Sequence, residues 1–149
     1  MQNQQLVNFL NQLLSNYFVM YVKLHRYHWY IQGKNFFRLH EKFEEMYDMF
    51  NDDLDEIAER ILMIGGKPLA TMAKYLDETT LTEANADNTE DEMISQLIKD
   101  YEQIISEIVN EGIKLASEQE DEPTLDMLIS FQAKLEKDLW MLNAYQGNL

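Results

Sequence analysis

Cysteine is absent from all 149 residues, which excludes disulfide frameworks, thiolate metal sites and thiol nucleophiles. Any metal must be held by His, Asp and Glu, donors that suit iron, manganese or zinc better than copper(I). Proline occurs only at Pro68 and Pro123, so long uninterrupted helices are allowed. Positive charge is scarce: 12 Lys and Arg stand against 27 Asp and Glu, for a net charge of −15. That balance points away from nucleic acid and anionic membranes and toward cations. No basic tail offsets it, because the first 22 residues carry no charge and nothing basic follows Lys137. The uncharged stretch is not a membrane span, since Gln2, Asn3, Gln4, Gln5, Asn8, Asn11, Gln12 and Asn16 put too many amides into it. It also lacks the positive n-region and cleavage signature of a secretory peptide. One cytoplasmic domain over residues 1–149 is the expectation.

Apolar residues fall at steps of three and four over residues 6–31, among them Leu6, Leu10, Leu13, Leu14, Tyr17, Tyr21 and Leu24. This predicts a first helix over about residues 4–32, stopped at Gly33. Asn35 is a good N-cap for a second helix, which Gly65 and Gly66 end. Both helices would run about 43 Å, and the tight turn between them makes an antiparallel hairpin. Residues 67–88 form a long crossover with a short amphipathic segment at 69–76. Thr89 with Glu92 reads as a capping box that opens a third helix. Asp121 and Glu122 before Pro123 suit the start of a fourth, with Gly147 after its end. The expected class is all-α: a ferritin-like four-helix bundle with a short helix in the crossover between the second and third helices.

Four-helix di-iron proteins carry Glu-x-x-His motifs whose ligands meet inside one bundle. This chain has none, and its three histidines, His25, His28 and His40, all lie in the first 40 residues. The bundle interior is therefore expected to be apolar, with any metal site elsewhere. On the second helix His40 and Glu44 share a face at i,i+4, and Asp55 and Glu59 repeat that spacing. The second pair returns to within about 60° of the first but about 22 Å along the axis. The two pairs cannot hold one ion within a chain. They can do so across a two-fold axis, if this helix packs antiparallel on its symmetry mate near residues 49–50. His28, just before the turn, joins the same cluster. The bland reading of such pairs is a solvated helix face, with Arg60 and Lys42 as ordinary surface partners of the acids.

The run His28-Trp29-Tyr30-Ile31-Gln32-Gly33-Lys34-Asn35-Phe36-Phe37-Arg38-Leu39-His40-Glu41 resembles the signature of the Dps family, the mini-ferritins. So does Asp55-Glu56-Ile57-Ala58-Glu59-Arg60, followed by Ile64-Gly65-Gly66. The resemblance covers nearly the whole chain. It implies a homo-dodecameric shell that oxidises Fe(II), with hydrogen peroxide as the preferred oxidant, and stores Fe(III) as mineral, as part of a stress response. It implies metal ligands His28, His40 and Glu44 from one subunit with Asp55 and Glu59 from another. Glu44 stands where the family commonly has Asp, and this longer carboxylate bears on the second metal position. Trp29 resembles the tryptophan that takes up stray oxidising equivalents, with Trp140 as a second candidate; the bland reading of both is packing. Asp121, Glu122 and Asp126 would line negatively charged pores, and Glu41, Glu44 and Glu45 would nucleate mineral. Two other readings are a DNA-condensing member of the family and a non-enzymatic oligomeric scaffold. The first lacks a source of phosphate neutralisation; the second is opposed by the intact His28, His40, Asp55 and Glu59 set.

Overall fold

The computed structural model describes residues 2–85 and 87–148. Its long helices are α1 (Gln2–Tyr30), α2 (Phe36–Met63), α4 (Glu90–Glu107) and α6 (Glu122–Gln146). A short α3 (Met72–Glu78) lies in the crossover, and α4 runs through a π-helical turn (Ile108–Gly112) into α5 (Ile113–Glu118). The described residues contain no strand, as expected for an all-α bundle. Of the anticipated apolar stripe of α1, Leu6, Leu10, Leu13, Leu14, Tyr17 and Leu24 are fully or almost fully buried in the core, where Met20 and Tyr27 join them, while Tyr21 is partly buried.

The helix ends follow local chemistry. Gly65 takes φ +86°, and Gly66 and Gly65 donate back to the Ile61 and Leu62 carbonyls at 2.8 and 3.0 Å, closing α2 with a left-handed cap. A Cβ on Gly66 would lie 2.7 Å from Val7, so only glycine lets this turn rest on α1. Thr89 and Glu92 form the capping box at α4, and the Asp121 carboxylate caps α6 by accepting from Thr124 N at 3.1 Å.

Four expectations change. Asn35 occupies the N-cap position of α2 but makes no capping bond; its amide instead donates to Glu90 Oε1 at 2.9 Å, tying the α1–α2 turn to the start of α4. The short crossover helix begins at Met72 rather than residue 69, because Leu69 N donates to Asn11 Oδ1 and the Thr71 side chain supplies the cap. Asn11 and Asn16, two of the amides that exclude a membrane span, are thus structural. Asn16 accepts from Thr79 Oγ1 and Thr80 N and donates to Thr80 Oγ1 and Glu107. The π turn was not anticipated. It sits where Gly112 presses on Phe9 so closely that a Cβ would come within 2.4 Å of the ring.

Finally, the interior is not wholly apolar. Lys23 Nζ pairs with Asp100 Oδ2 at 2.8 Å with side chains 0% and 4% exposed. Lys134 pairs with buried Asp53 at 2.7 Å, and the fully buried Tyr101 hydroxyl donates to Asp138 Oδ2 at 3.1 Å. Each buried charge has a partner, which is what permits burial.

Candidate metal centre

The α1–α2 turn brings the last turn of α1 against the first turns of α2. Gly33, at φ +112°, is the residue that allows so tight a reversal. His28 and His40 consequently face each other, their rings stacked at 3.6 Å and 12°. His28 Nδ1 donates to the His40 carbonyl at 2.6 Å, and His40 Nδ1 donates to the His28 carbonyl at 2.7 Å. A carbonyl only accepts, so both Nδ1 atoms carry the proton and both Nε2 atoms are left as lone-pair donors. Hydrogen-bonding the second ring nitrogen is how proteins orient metal-binding histidines. His28 is buried, and its Nε2 lies 3.8 Å from Glu44 Oε1 on a side chain 54% exposed.

Asp55 and Glu59 are both exposed, further along α2. No three His, Asp or Glu side chains among the described residues converge on one point. Within one chain, then, the structure pairs His28 with His40, brings Glu44 within 3.8 Å of His28, and leaves Asp55 and Glu59 apart.

Arg60 and Lys42 are not partners of these acids as the bland reading expects. Arg60 donates to Asp121 Oδ1 at 3.0 Å and to Thr124 Oγ1 at 2.8 Å. Lys42 lies 3.4 Å from Asp138 and 3.9 Å from Glu45. Asp55 and Glu59 have no cation partner among the described residues. Phe50, at the middle of α2, is fully buried edge-on to Tyr17, so the outward face at that height carries Asp48, Asn51 and Asp52.

Asp121 has both oxygens engaged, by Arg60 and Thr124, whereas Glu122 and Asp126 are exposed. Arg60→Gln and Asp121→Asn are each expected to cost about 1–3 kcal/mol. Denaturant unfolding should show the double variant little worse than either single one, because all three side chains form one network. Trp29 and Trp140 are 67% and 57% exposed, so neither is packed inside its own bundle.

Sequence reasoning missed Tyr47 and His25. Tyr47 meets His28 edge-on, with ring centroids 5.4 Å apart, and stacks on His25 at 3.7 Å. Its phenol is held above its usual pKa, first by desolvation and then by the carboxylates of Glu44 and Asp48. The available signal was the i,i+3 step from Glu44 to Tyr47, which places both on one face.

Comparison with known proteins agrees with this architecture. A ferritin-like domain profile matches residues 7–149. The chain is 44% identical to DNA protection during starvation protein 2 of Bacillus anthracis, over 96% of this chain and 97% of that protein. The crystal structure of a Dps protein from Bacillus brevis superposes with a TM-score of 0.94 at 42% identity, covering 97% of both chains. A Dps protein from Vibrio cholerae O1, described as a member of a broad superfamily of ferritin-like diiron-carboxylate proteins, gives 0.93 at 36% identity, covering 97% of this chain and 91% of that one. A bundle of this topology, carrying paired histidines and outward carboxylates on its first hairpin, belongs to the Dps family of ferritin-like proteins, whose members serve iron storage and stress protection.

Proposed function

We propose that this chain is the subunit of a ferroxidase that oxidises Fe(II) with hydrogen peroxide at sites shared between subunits. His28, His40 and Glu44 bind from one side, with Asp55 and Glu59 of the partner subunit from the other. The observation that carries this reading is the reciprocal Nδ1–carbonyl pair, which leaves two imidazole Nε2 atoms free to bind, that of His28 3.8 Å from the Glu44 carboxylate. Such an N/O donor set suits Fe(II) and leaves positions for an oxidant. Two Fe(II) supply the two electrons that take one peroxide to water, and the Fe(III) hydrolyses to mineral within the shell.

The partner's seat is supported by apolar surface. Exposed Val22, Trp29, Met72 and Leu76 line a cleft of about 470 Å³ between α1 and α3, with His25 in its wall. Leu62 and Met63, exposed at the end of α2, form a second patch. Two separate patches suit a closed assembly, for which we propose a dodecamer. Glu122 and Asp126 are the acids free to draw cations inward, and single-sign clefts do concentrate counter-ions. The Bacillus anthracis relative is named for DNA protection. In this chain a net charge of −15 favours protection by removing iron and peroxide over binding of DNA.

Anaerobic Fe(II) titration with light scattering, followed by peroxide addition, tests the reading. The expected result is a twelve-subunit particle that consumes two Fe(II) per peroxide. A stable monomer that oxidises iron would refute the shared site.

A further inference from the structure

The two helical hairpins are tied together at the end of the bundle that carries the paired histidines, and Glu90 receives hydrogen bonds from both. As the first residue of α4 it accepts from the Asn35 amide at 2.9 Å. It also accepts from the hydroxyl of Tyr145, near the end of α6. That phenol is pushed up to about 12, first by burial and then by the bond to Glu90, so it keeps its proton and donates. The frame behind Glu90 is fixed: Thr89 and Glu92 close the capping box of α4, and Gln146 Nε2 donates to Ser95 Oγ at 3.0 Å. A carboxylate anchored on α4 and α6 thus holds the turn that joins α1 to α2.

From Asn35 the path to the metal centre is short. Its carbonyl accepts from Leu39 N at 3.0 Å, so Asn35 and the first turn of α2 move as one piece. Phe36, the next residue, stacks with His40 at 4.8 Å and 20°, and His40 stacks with His28 at 3.6 Å. Asn35 gives up something local for its bond to Glu90, since it stands at the N-cap position of α2 and makes no capping bond.

We propose that Glu90 is a positioning residue for iron binding: through the Asn35 amide it holds the first turn of α2, and with it the His40 ring, in register with His28. This rests on the ferroxidase reading above, which assigns both histidines to Fe(II). Cutting the tie leaves every ligand present and lets the turn rock. Fe(II) binding then weakens, while oxidation of iron already bound proceeds as before.

Anaerobic Fe(II) titration of the assembled protein, followed by oxidation rates with peroxide, tests this. Glu90→Ala should weaken Fe(II) binding about tenfold, the worth of one hydrogen bond to a charged group. The rate at saturating Fe(II) should stay within about twofold of the parent. Glu90→Gln, whose amide oxygen still accepts from Asn35, should restore most of the affinity. Asp91 and Glu92 keep the first turn of α4 acidic in both variants. Asn35→Ser separates positioning from stability, because serine is an equally good N-cap. Urea unfolding should show this variant no weaker than the parent, yet its Fe(II) binding should fall as in Glu90→Ala. Hydrogen exchange over residues 31–40 should quicken in both weakened variants. Light scattering checks assembly, and since Glu90→Ala and Asn35→Ser cut the same bond from opposite ends, either one decides. Binding as tight as the parent's in either variant, or a loss that Glu90→Gln does not restore, overturns this inference alone. A parent that takes up no Fe(II), or takes it up equally with His28→Ala and His40→Ala, overturns it together with the ferroxidase reading.

Discussion

Subunits carrying His28→Ala and His40→Ala should regain iron oxidation when refolded together with subunits carrying Asp55→Ala and Glu59→Ala, although each variant alone oxidises Fe(II) no faster than buffer does. The expectation follows from the split donor set: the histidines are locked together at the α1–α2 turn, while the two acids stand exposed further along α2, without a cation partner among the described residues. A two-fold pair of mixed composition holds one complete centre and one left with Glu44 alone. Random pairing makes half of the pairs mixed, so about a quarter of the parental centres should return. Stopped-flow absorbance of Fe(III) reads the recovery, with light scattering confirming assembly. If the mixture assembles normally yet stays inactive, the carboxylates do not act across subunits.

Lys23→Met should be among the most damaging single changes outside the site, costing about 3–5 kcal/mol. The lysine is fully buried against Asp100, so its removal leaves a carboxylate without a counter-charge between α1 and α4. That loss is a large share of the roughly 5–15 kcal/mol that holds a domain together. Lys23→Met with Asp100→Leu should recover most of it, since an apolar pair of similar volume is commonly neutral or better. The pH dependence has a defined sign. Burial holds the Asp100 carboxyl above its ordinary range even with Lys23 beside it. The folded chain therefore binds that proton more tightly than the unfolded one, so this group favours the fold at low pH, an advantage lost as pH rises through the folded-state value. Without Lys23 the carboxyl moves higher still, and the penalty of Lys23→Met should shrink on acidification. Urea unfolding at neutral and mildly acidic pH measures it; a penalty that grows on acidification contradicts the argument.

Features governed by near neighbours in sequence were legible there. Thr89 and Glu92 announce the start of α4 because the capping box is closed by residues three apart, and Gly65 announces the end of α2 because its left-handed conformation disfavours other residues. The pairing of His28 with His40 was legible because a short turn leaves two antiparallel ends no other arrangement. What failed was decided at long range. Asn35 abandons its cap for Glu90, Leu69 is drawn out of a helix by Asn11, and Lys23 is buried only because Asp100 meets it from 77 residues away. The reciprocal histidine bonds were equally out of reach, since they depend on the rotation of one helix end against another rather than on spacing.

The π turn at Ile108–Gly112 sets the direction of everything downstream of it. It winds one extra residue into the helix, and one residue is about 100° of rotation. With that extra residue, Ile104 before the turn and Ala116 after it are both buried in the core. Losing it would swing Ala116 toward solvent and turn the acidic loop that follows α5 by the same angle, away from Arg60. The heading of the loop that carries Asp121 is thus set by a single over-wide coil pressed against Phe9, several residues upstream in the chain.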